Sequence, residues 1–229
     1  MSLDGSIQAD RVRSYFARIA HRYDFANHLL SFGIDVLWRR RAAQVVRSWK
    51  PARILDLATG SGDLAKTLQQ ACPNALVVGA DFCEPMLQFA RPKGLANLVV
   101  ADALQLPFPD ASFDAVTVAF GLRNMASWSG ALAEIQRILK PGAHLLILDF
   151  GLPQPPFRAP YHFYLHHVLP SLAAFLTGER SAYDYLAASI ESFPCGEAMR
   201  VRLSQEGYED TRFIPLLGGI ACIYTAMRP

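Results

Sequence analysis

Charge is scarce in this chain, and so are the patterns that announce several common functions. Only 18% of its 229 residues are charged, against 52% apolar, so it can bury a core and does not read as disordered. Lys and Arg outnumber Asp and Glu by only 22 to 20, a formal net charge of +2. That balance lacks the strongly basic face of a nucleic-acid binder, and no nucleic acid is expected as a partner. The four cysteines, Cys72, Cys83, Cys195 and Cys222, form no CxxC pair, which argues against a disulfide framework and for a reducing cytosol. No His/Asp/Glu spacing suggests a metal, so none is expected. The first ten residues carry Asp4 and Asp10 and no long apolar core, and a secretory signal is not expected. The most apolar later stretch, residues 161–177, is interrupted by Pro170 and by His162, His166 and His167, which makes it a poor membrane span.

No repeat or low-complexity tract divides the chain, and 229 residues fit one domain with extra helices. Residues 11–50 read as helices. From Val36 to Trp49 the positions Trp38, Ala42, Val45, Val46 and Trp49 share one face, with Arg40, Gln44 and Arg47 on another. After Pro51, strands and helices alternate. Strands are expected at Arg53–Ala58, Ala75–Ala80, Asn97–Ala101, Asp114–Ala119 and His144–Asp149, with helices at Asp63–Ala71, Glu84–Arg91 and Trp128–Leu139. Lys140-Pro141-Gly142 should stop the last of these helices. Such alternation implies a mostly parallel sheet with right-handed crossovers. Prolines 153, 155, 156 and 160 then open a loop, and two or three apolar helices follow as an insertion over one sheet edge. Tyr208–Pro215 and Ile220–Met227, joined through Gly218 and Gly219, suggest a closing antiparallel hairpin.

The strongest local signal is Leu55-Asp56-Leu57-Ala58-Thr59-Gly60-Ser61-Gly62-Asp63. Glycines between a strand and a helix let a ligand approach the backbone. Gly60, Gly62 and Ala65 also satisfy a permissive GxGxxA form used for NAD, so the turn alone does not decide the cofactor. The acids do more. Asp56 at its strand end suits the cationic amino group of a methionine moiety and would not help a pyrophosphate. Asp81, 19 residues after Gly62, is placed to accept from ribose hydroxyls. Asp102, followed by Ala103, is placed for the adenine edge. Three carboxylates at successive strand ends suit S-adenosylmethionine.

Taken further, the chain resembles the ubiquinone/menaquinone biosynthesis C-methyltransferases, the UbiE/MenG family, from about Val12 to the C-terminus. The segments that carry the resemblance lie outside the glycine turn. They are Arg22-Tyr23-Asp24-Phe25-Ala26-Asn27, Ser31-Phe32-Gly33-Ile34, Leu37-Trp38-Arg39-Arg40, Leu106-Pro107-Phe108-Pro109-Asp110 and Ala119-Phe120-Gly121-Leu122-Arg123-Asn124. Further on come residues 183–190 with Phe193-Pro194, and Gly218-Gly219-Ile220. The turn itself departs from the common family form by reading Ala-Thr-Gly-Ser-Gly. The resemblance implies an α/β, Rossmann-like class I methyltransferase with a mostly parallel seven-stranded sheet, a C-terminal antiparallel hairpin, and a helical lid and insertion. It divides one domain into an N-terminal lid (residues 1–50), a cofactor core (51–150), an acceptor-binding insertion (151–207) and the hairpin (208–229). It puts S-adenosylmethionine, leaving as S-adenosylhomocysteine, against Ser61, Asp81, Asp102, Ala103 and Ala119, beside the Asp56, Gly60 and Gly62 of the turn.

The implied reaction moves a methyl group to a ring carbon of a prenylated quinol, either demethylmenaquinol or the benzoquinol intermediate of ubiquinone biosynthesis. Alternatives are another lipid or small phenolic acceptor, or a non-catalytic cofactor-binding scaffold of a quinone-biosynthesis complex. A phenol with a pKa of about 10 is mostly protonated at neutral pH, so a cation, strong donor or base must stand near the developing phenolate. Arg123 is the candidate cation, with Asn124 orienting the ring or a water. The competing reading pairs Arg123 structurally with Asp24 or Asp149. Tyr23, on the lid, either meets the sulfonium or acceptor or only docks the lid. Tyr183 and Tyr185 line the prenyl channel or pack in the core. Arg39-Arg40-Arg41 beside Trp38, with Arg47 and Trp49, reads either as a peripheral contact with anionic lipid at the inner membrane face or as a solvated basic face. The apolar insertion suggests a homodimer.

Overall fold

The computed structural model describes residues 33–170 and 180–229. Seven strands form one sheet in the order β3-β2-β1-β4-β5-β7-β6. The first five, β1 (Arg53–Leu57), β2 (Leu76–Asp81), β3 (Leu98–Val100), β4 (Phe113–Ala119) and β5 (Leu139–Phe150), are parallel. β7 (Ala221–Met227) runs antiparallel between β5 and β6 (Glu209–Leu216). The expected class and the closing hairpin are both present.

Alternate residues of the central strands feed two layers, as period-2 geometry requires. Leu55, Leu57, Val78, Ala80, Val116 and Val118 share one core with α4 (Trp128–Ile138) and α7 (Glu197–Gln205). Ile54, Val77 and Ala115 share the other with α1 (Ile34–Ser48) and α2 (Asp63–Ala71). Covered on both faces, these strands are near-continuous apolar runs. Helix α1 buries Trp38, Ala42, Ala43 and Val46 and exposes Arg40, Gln44 and Arg47, as its periodicity predicts. Helix α3 (Glu84–Ala90) follows β2. Ser127 caps α4 by accepting from the Gly130 amide at 3.1 Å.

Two expectations shift. Strand β5 begins at Leu139, before the Lys-Pro-Gly stop. Leu139 pairs with Phe113 and His144 with Ala115, so residues 140–143 bulge out of a strand that has already started. The insertion is also less separate than its sequence suggests. Its last helix, α7, places Met199 and Leu203 in the main core. The earlier part, α5 (Arg158–Phe163), the π turn Tyr164–Val168 and α6 (Arg180–Ser192), forms a smaller cluster through Leu165, Leu169, Ala187 and Ile190. Among the described residues, no helix is long and apolar enough to cross a membrane.

Candidate functional site

Strand order reverses between β1 and β4, and in open α/β sheets the crevice beyond the carboxyl ends of the strands at such a point is where ligands bind. The chain is shaped for that here. β1 and β4 are each followed by a non-glycine residue in the left-handed region, Ala58 at φ 54° and Phe120 at φ 57°. Such backbone is held only where its surroundings dictate it. The two loops touch: a Cβ added at Gly121 would lie 2.5 Å from the Ala58 Cβ. Gly62 has φ 84°, and a Cβ there would collide with Leu95 and lie 3.0 Å from the Ala90 Cβ. Glycine is therefore required at Gly62 both by its dihedrals and by close helix packing.

Buried carboxylates mark the strand ends. Asp81, closing β2, accepts the Gly60 amide on Oδ2 and the Cys83 amide on Oδ1, each at 2.8 Å. Burial pushes its pKa up, against the pull of the Cys83, Gly60 and Phe82 amides. A carboxylate has about four acceptor sites, so capacity remains for a ribose hydroxyl. Asp56 is turned the other way. It is 1% exposed, and its oxygens accept from the Thr59 hydroxyl at 2.6 Å and the Thr117 hydroxyl at 2.7 Å. Burial pushes its pKa up to about 6, with the Ala65 amide among the groups pulling it down. With these partners Asp56 braces the glycine turn from beneath, where the sequence suggested a direct hold on an amino group. Ser61 is buried within the turn, and Ala119, ending β4, is half-buried. Asp102, just past β3, is exposed and accepts the Leu104 amide at 2.9 Å; the half-buried Ala103 follows it.

Arg123 lies in a short helical turn, Leu122–Asn124, directly after the β4 loop. Its Nη1 donates to the Phe120 carbonyl at 2.8 Å and to Asp149 Oδ1 at 2.5 Å. Asn124 Nδ2 donates to the same carbonyl at 3.3 Å. The sequence left open whether Arg123 pairs with Asp149, and in the structure it does. Asp149 is fully buried near the end of β5, and burial raises its pKa against the opposing charge of Arg123. Arg123 Nε and Asp149 Oδ2 are buried without a hydrogen-bond partner among the described residues. The guanidinium also stands 5.2 Å from the centre of the Phe150 ring.

Arg39 belongs to the site and not to the basic face that the Arg39-Arg40-Arg41 run suggests. Its side chain is only 12% exposed, paired with Asp35 one turn earlier and 5.4 Å from the centre of the Phe120 ring. Phe120, Phe150 and Trp38 pack together, with Phe120 and Phe150 4.6 Å apart. Trp38 is buried, and Trp49 is half-buried and stacked on His144 at 4.6 Å. The outward basic face is thus reduced to Arg40, Arg41 and Arg47. The Asp35/Arg39 spacing of four on one helix face was the available signal. Tyr23, Asp24 and His21 lie outside the described residues, as do the side chains of Tyr183 and Tyr185.

The cradle fits S-adenosylmethionine. The glycine turn excludes side chains where the backbone must be approached, and Asp81, a buried acid at the end of β2 with acceptor capacity to spare, suits a ribose hydroxyl and would not help a pyrophosphate.

Residues 5–228 match the ubiE/COQ5 methyltransferase family. The demethylmenaquinone methyltransferase of Thermus thermophilus is 48% identical over 222 residues, covering 93% of this chain and all of that one. The ubiquinone/menaquinone biosynthesis C-methyltransferase UbiE of Geobacter sulfurreducens is 40% identical over 227 residues, covering 95% and 88%. Among solved structures, a SAM-dependent methyltransferase from Thermotoga maritima superposes with a TM-score of 0.69 at 16% identity, covering 95% of this chain and all of that one. Human N-acetylserotonin methyltransferase in complex with SAM gives 0.56 at 18% identity, covering 92% and 59%. These two likenesses are of fold.

Proposed function

The chain belongs to the ubiE/COQ5 methyltransferase family, and from that premise we propose that it is a C-methyltransferase acting on a prenylated quinol. The acceptor is demethylmenaquinol or the benzoquinol intermediate of ubiquinone biosynthesis. Near-complete alignment at 48% identity with a demethylmenaquinone methyltransferase carries the reading, and the cradle supports it. When bound, S-adenosylmethionine supplies an electrophilic methyl group on a cationic sulfur.

The residues of the chain do the rest by placement. Asp81 holds a ribose hydroxyl, Asp102 and Ala103 meet the adenine, and Ser61 and Ala119 line the crevice. Asp56 fixes the turn on which Gly60 and Gly62 make room. In the reaction a ring carbon forms a bond to the methyl carbon, the carbon–sulfur bond breaks with its electron pair staying on sulfur, and the ring loses its proton to water. Arg123 stabilises the developing phenolate, and Asn124 orients the ring or a water beside it. That Arg123 Nε is buried with no hydrogen-bond partner among the described residues supports this role, because a buried donor left unpaired is costly. The guanidinium does not act as the base, since it keeps its proton. Arg40, Arg41 and Arg47, exposed together on α1, support a peripheral contact with anionic lipid, where a polyprenyl acceptor resides.

The chemistry makes one simple demand: the acceptor ring must be electron-rich. Supplied with S-adenosylmethionine, the protein should methylate a reduced short-chain demethylmenaquinol and leave the oxidised quinone untouched. Equal turnover of both redox forms would contradict a phenolate-assisted transfer.

A further inference from the structure

Away from the strand ends, three polar side chains of the insertion converge on one point. His162 lies on α5, His166 on the π turn that continues it, and Glu191 in the last turn of α6. The Nε2 atoms of His162 and His166 approach the same oxygen, Glu191 Oε1, at 3.1 and 2.8 Å. The imidazole centroids are 4.4 Å apart, and the three donor atoms lie within 4.8 Å of one another. A separation of four residues puts both histidines on one helix face. The carboxylate arrives from a second helix, and Leu165, Leu169, Ala187 and Ile190 pack the two helical segments together beneath the triad. The donor set is therefore held by a packed scaffold.

We propose that His162, His166 and Glu191 form a binding site for a divalent transition-metal ion of the zinc, nickel or copper class. Two imidazoles and one carboxylate are the donors such ions take, whereas magnesium and calcium prefer all-oxygen shells. In a tetrahedral zinc site, with bonds of about 2.0–2.1 Å, donor atoms stand about 3.3 Å apart. The His–Glu separations of 2.8 and 3.1 Å would widen by a few tenths of an ångström around the ion, and the two imidazole nitrogens, already within 4.8 Å of each other, would settle at a similar spacing. The side chains are 60%, 34% and 33% exposed, so the ion has an open approach from solvent. Among the described residues no fourth His, Cys, Asp or Glu joins the group, which would leave one position of a tetrahedral ion open to solvent. The ion would staple α5 and the π turn to α6. It plays no part in the methyl transfer proposed above, and the site stands whether or not that reading holds.

No local pattern in the sequence marks this group, because Glu191 is 25 residues beyond His166 and joins the histidines only through helix packing.

The test uses tag-free, metal-stripped full-length protein titrated calorimetrically with ZnCl2 and NiCl2, followed by thermal unfolding with and without each ion. One equivalent should bind in the micromolar range and raise the unfolding midpoint by mass action, while MgCl2 does neither. His162→Ala/His166→Ala should weaken that binding at least about tenfold and abolish the midpoint shift. Glu191→Gln should weaken it less, because one acceptor oxygen remains. Retained affinity for S-adenosylhomocysteine shows that each variant is folded. Wild-type protein that binds neither ion below 1 mM, or a double variant that binds as tightly as wild type, overturns the proposal.

Discussion

Arg123 and Asp149 form a buried ion pair in which Nη1 stands 2.5 Å from Oδ1, yet Arg123 Nε and Asp149 Oδ2 have no hydrogen-bond partner among the described residues. The pair ties the loop after β4 to the end of β5. Removing one member of such a pair leaves an uncompensated buried charge, at a cost of about 3–5 kcal/mol. Asp149→Asn should therefore lower unfolding free energy by that order, measured by urea denaturation. A variant as stable as wild type would mean that the pair contributes nothing to the fold.

Arg123→Lys separates structure from chemistry. Lysine keeps the charge and can still reach Asp149, but it loses the planar fork and the Nε donor. Methyl transfer should fall about a hundredfold, with affinity for S-adenosylhomocysteine nearly unchanged. Full turnover by a folded Arg123→Lys protein would remove Arg123 from the reaction and leave it the structural role alone.

Gly62→Ala should damage the cradle from inside. The new methyl group meets Leu95 and Ala90, and the φ of 84° is unfavourable for any side chain. Overpacking of this kind costs about 1–3 kcal/mol, and S-adenosylmethionine affinity should drop at least about tenfold. Calorimetry together with the unfolding midpoint checks both, and unchanged affinity would show that the turn is not where the donor binds.

The burial of Asp56 predicts a pH signature. Its pKa rises from 3.8 to about 6 on folding, so between these values the folded state holds a proton that the unfolded state has released. This group's contribution to stability therefore grows as pH falls through 6 and is complete below 3.8. Asn cannot titrate, so the stability of wild type relative to Asp56→Asn should rise by about 2 kcal/mol on going from pH 7 to pH 4. Denaturation curves at the two pH values test this. A constant difference would mean that Asp56 is ionised throughout.

The exposed arginines of α1 offer a membrane test. Co-sedimentation with anionic vesicles should fall as salt rises and should weaken in Arg40→Glu/Arg41→Glu/Arg47→Glu. Wild-type protein that ignores the vesicles at every ionic strength would leave these residues as a solvated face.

Much of this arrangement is legible in the sequence, because the relevant signals are local. Helix α2 runs over the expected Asp63–Ala71, and Asp81 closes β2 as expected. What the sequence hides depends on packing. Whether Arg39 faces in with Asp35 or out with Arg40 is set by helix phase against Trp38 and Phe120. That Asp56 braces the turn follows from Thr117, 61 residues away on β4. That Arg123 pairs with Asp149, 26 residues on, follows from the adjacency of β4 and β5. Strand β5 starts early because Leu139 reaches Phe113 before the bulge, which no local pattern announces.

The most direct test of the central claim is transfer of a deuterated methyl group from labelled S-adenosylmethionine to reduced short-chain demethylmenaquinol and to the matching benzoquinol, with the label located by tandem mass spectrometry. One labelled methyl on a ring carbon of at least one acceptor is expected, with the ratio of rates naming the preferred ring. Label on oxygen, or no product from either acceptor despite tight cofactor binding, would contradict it.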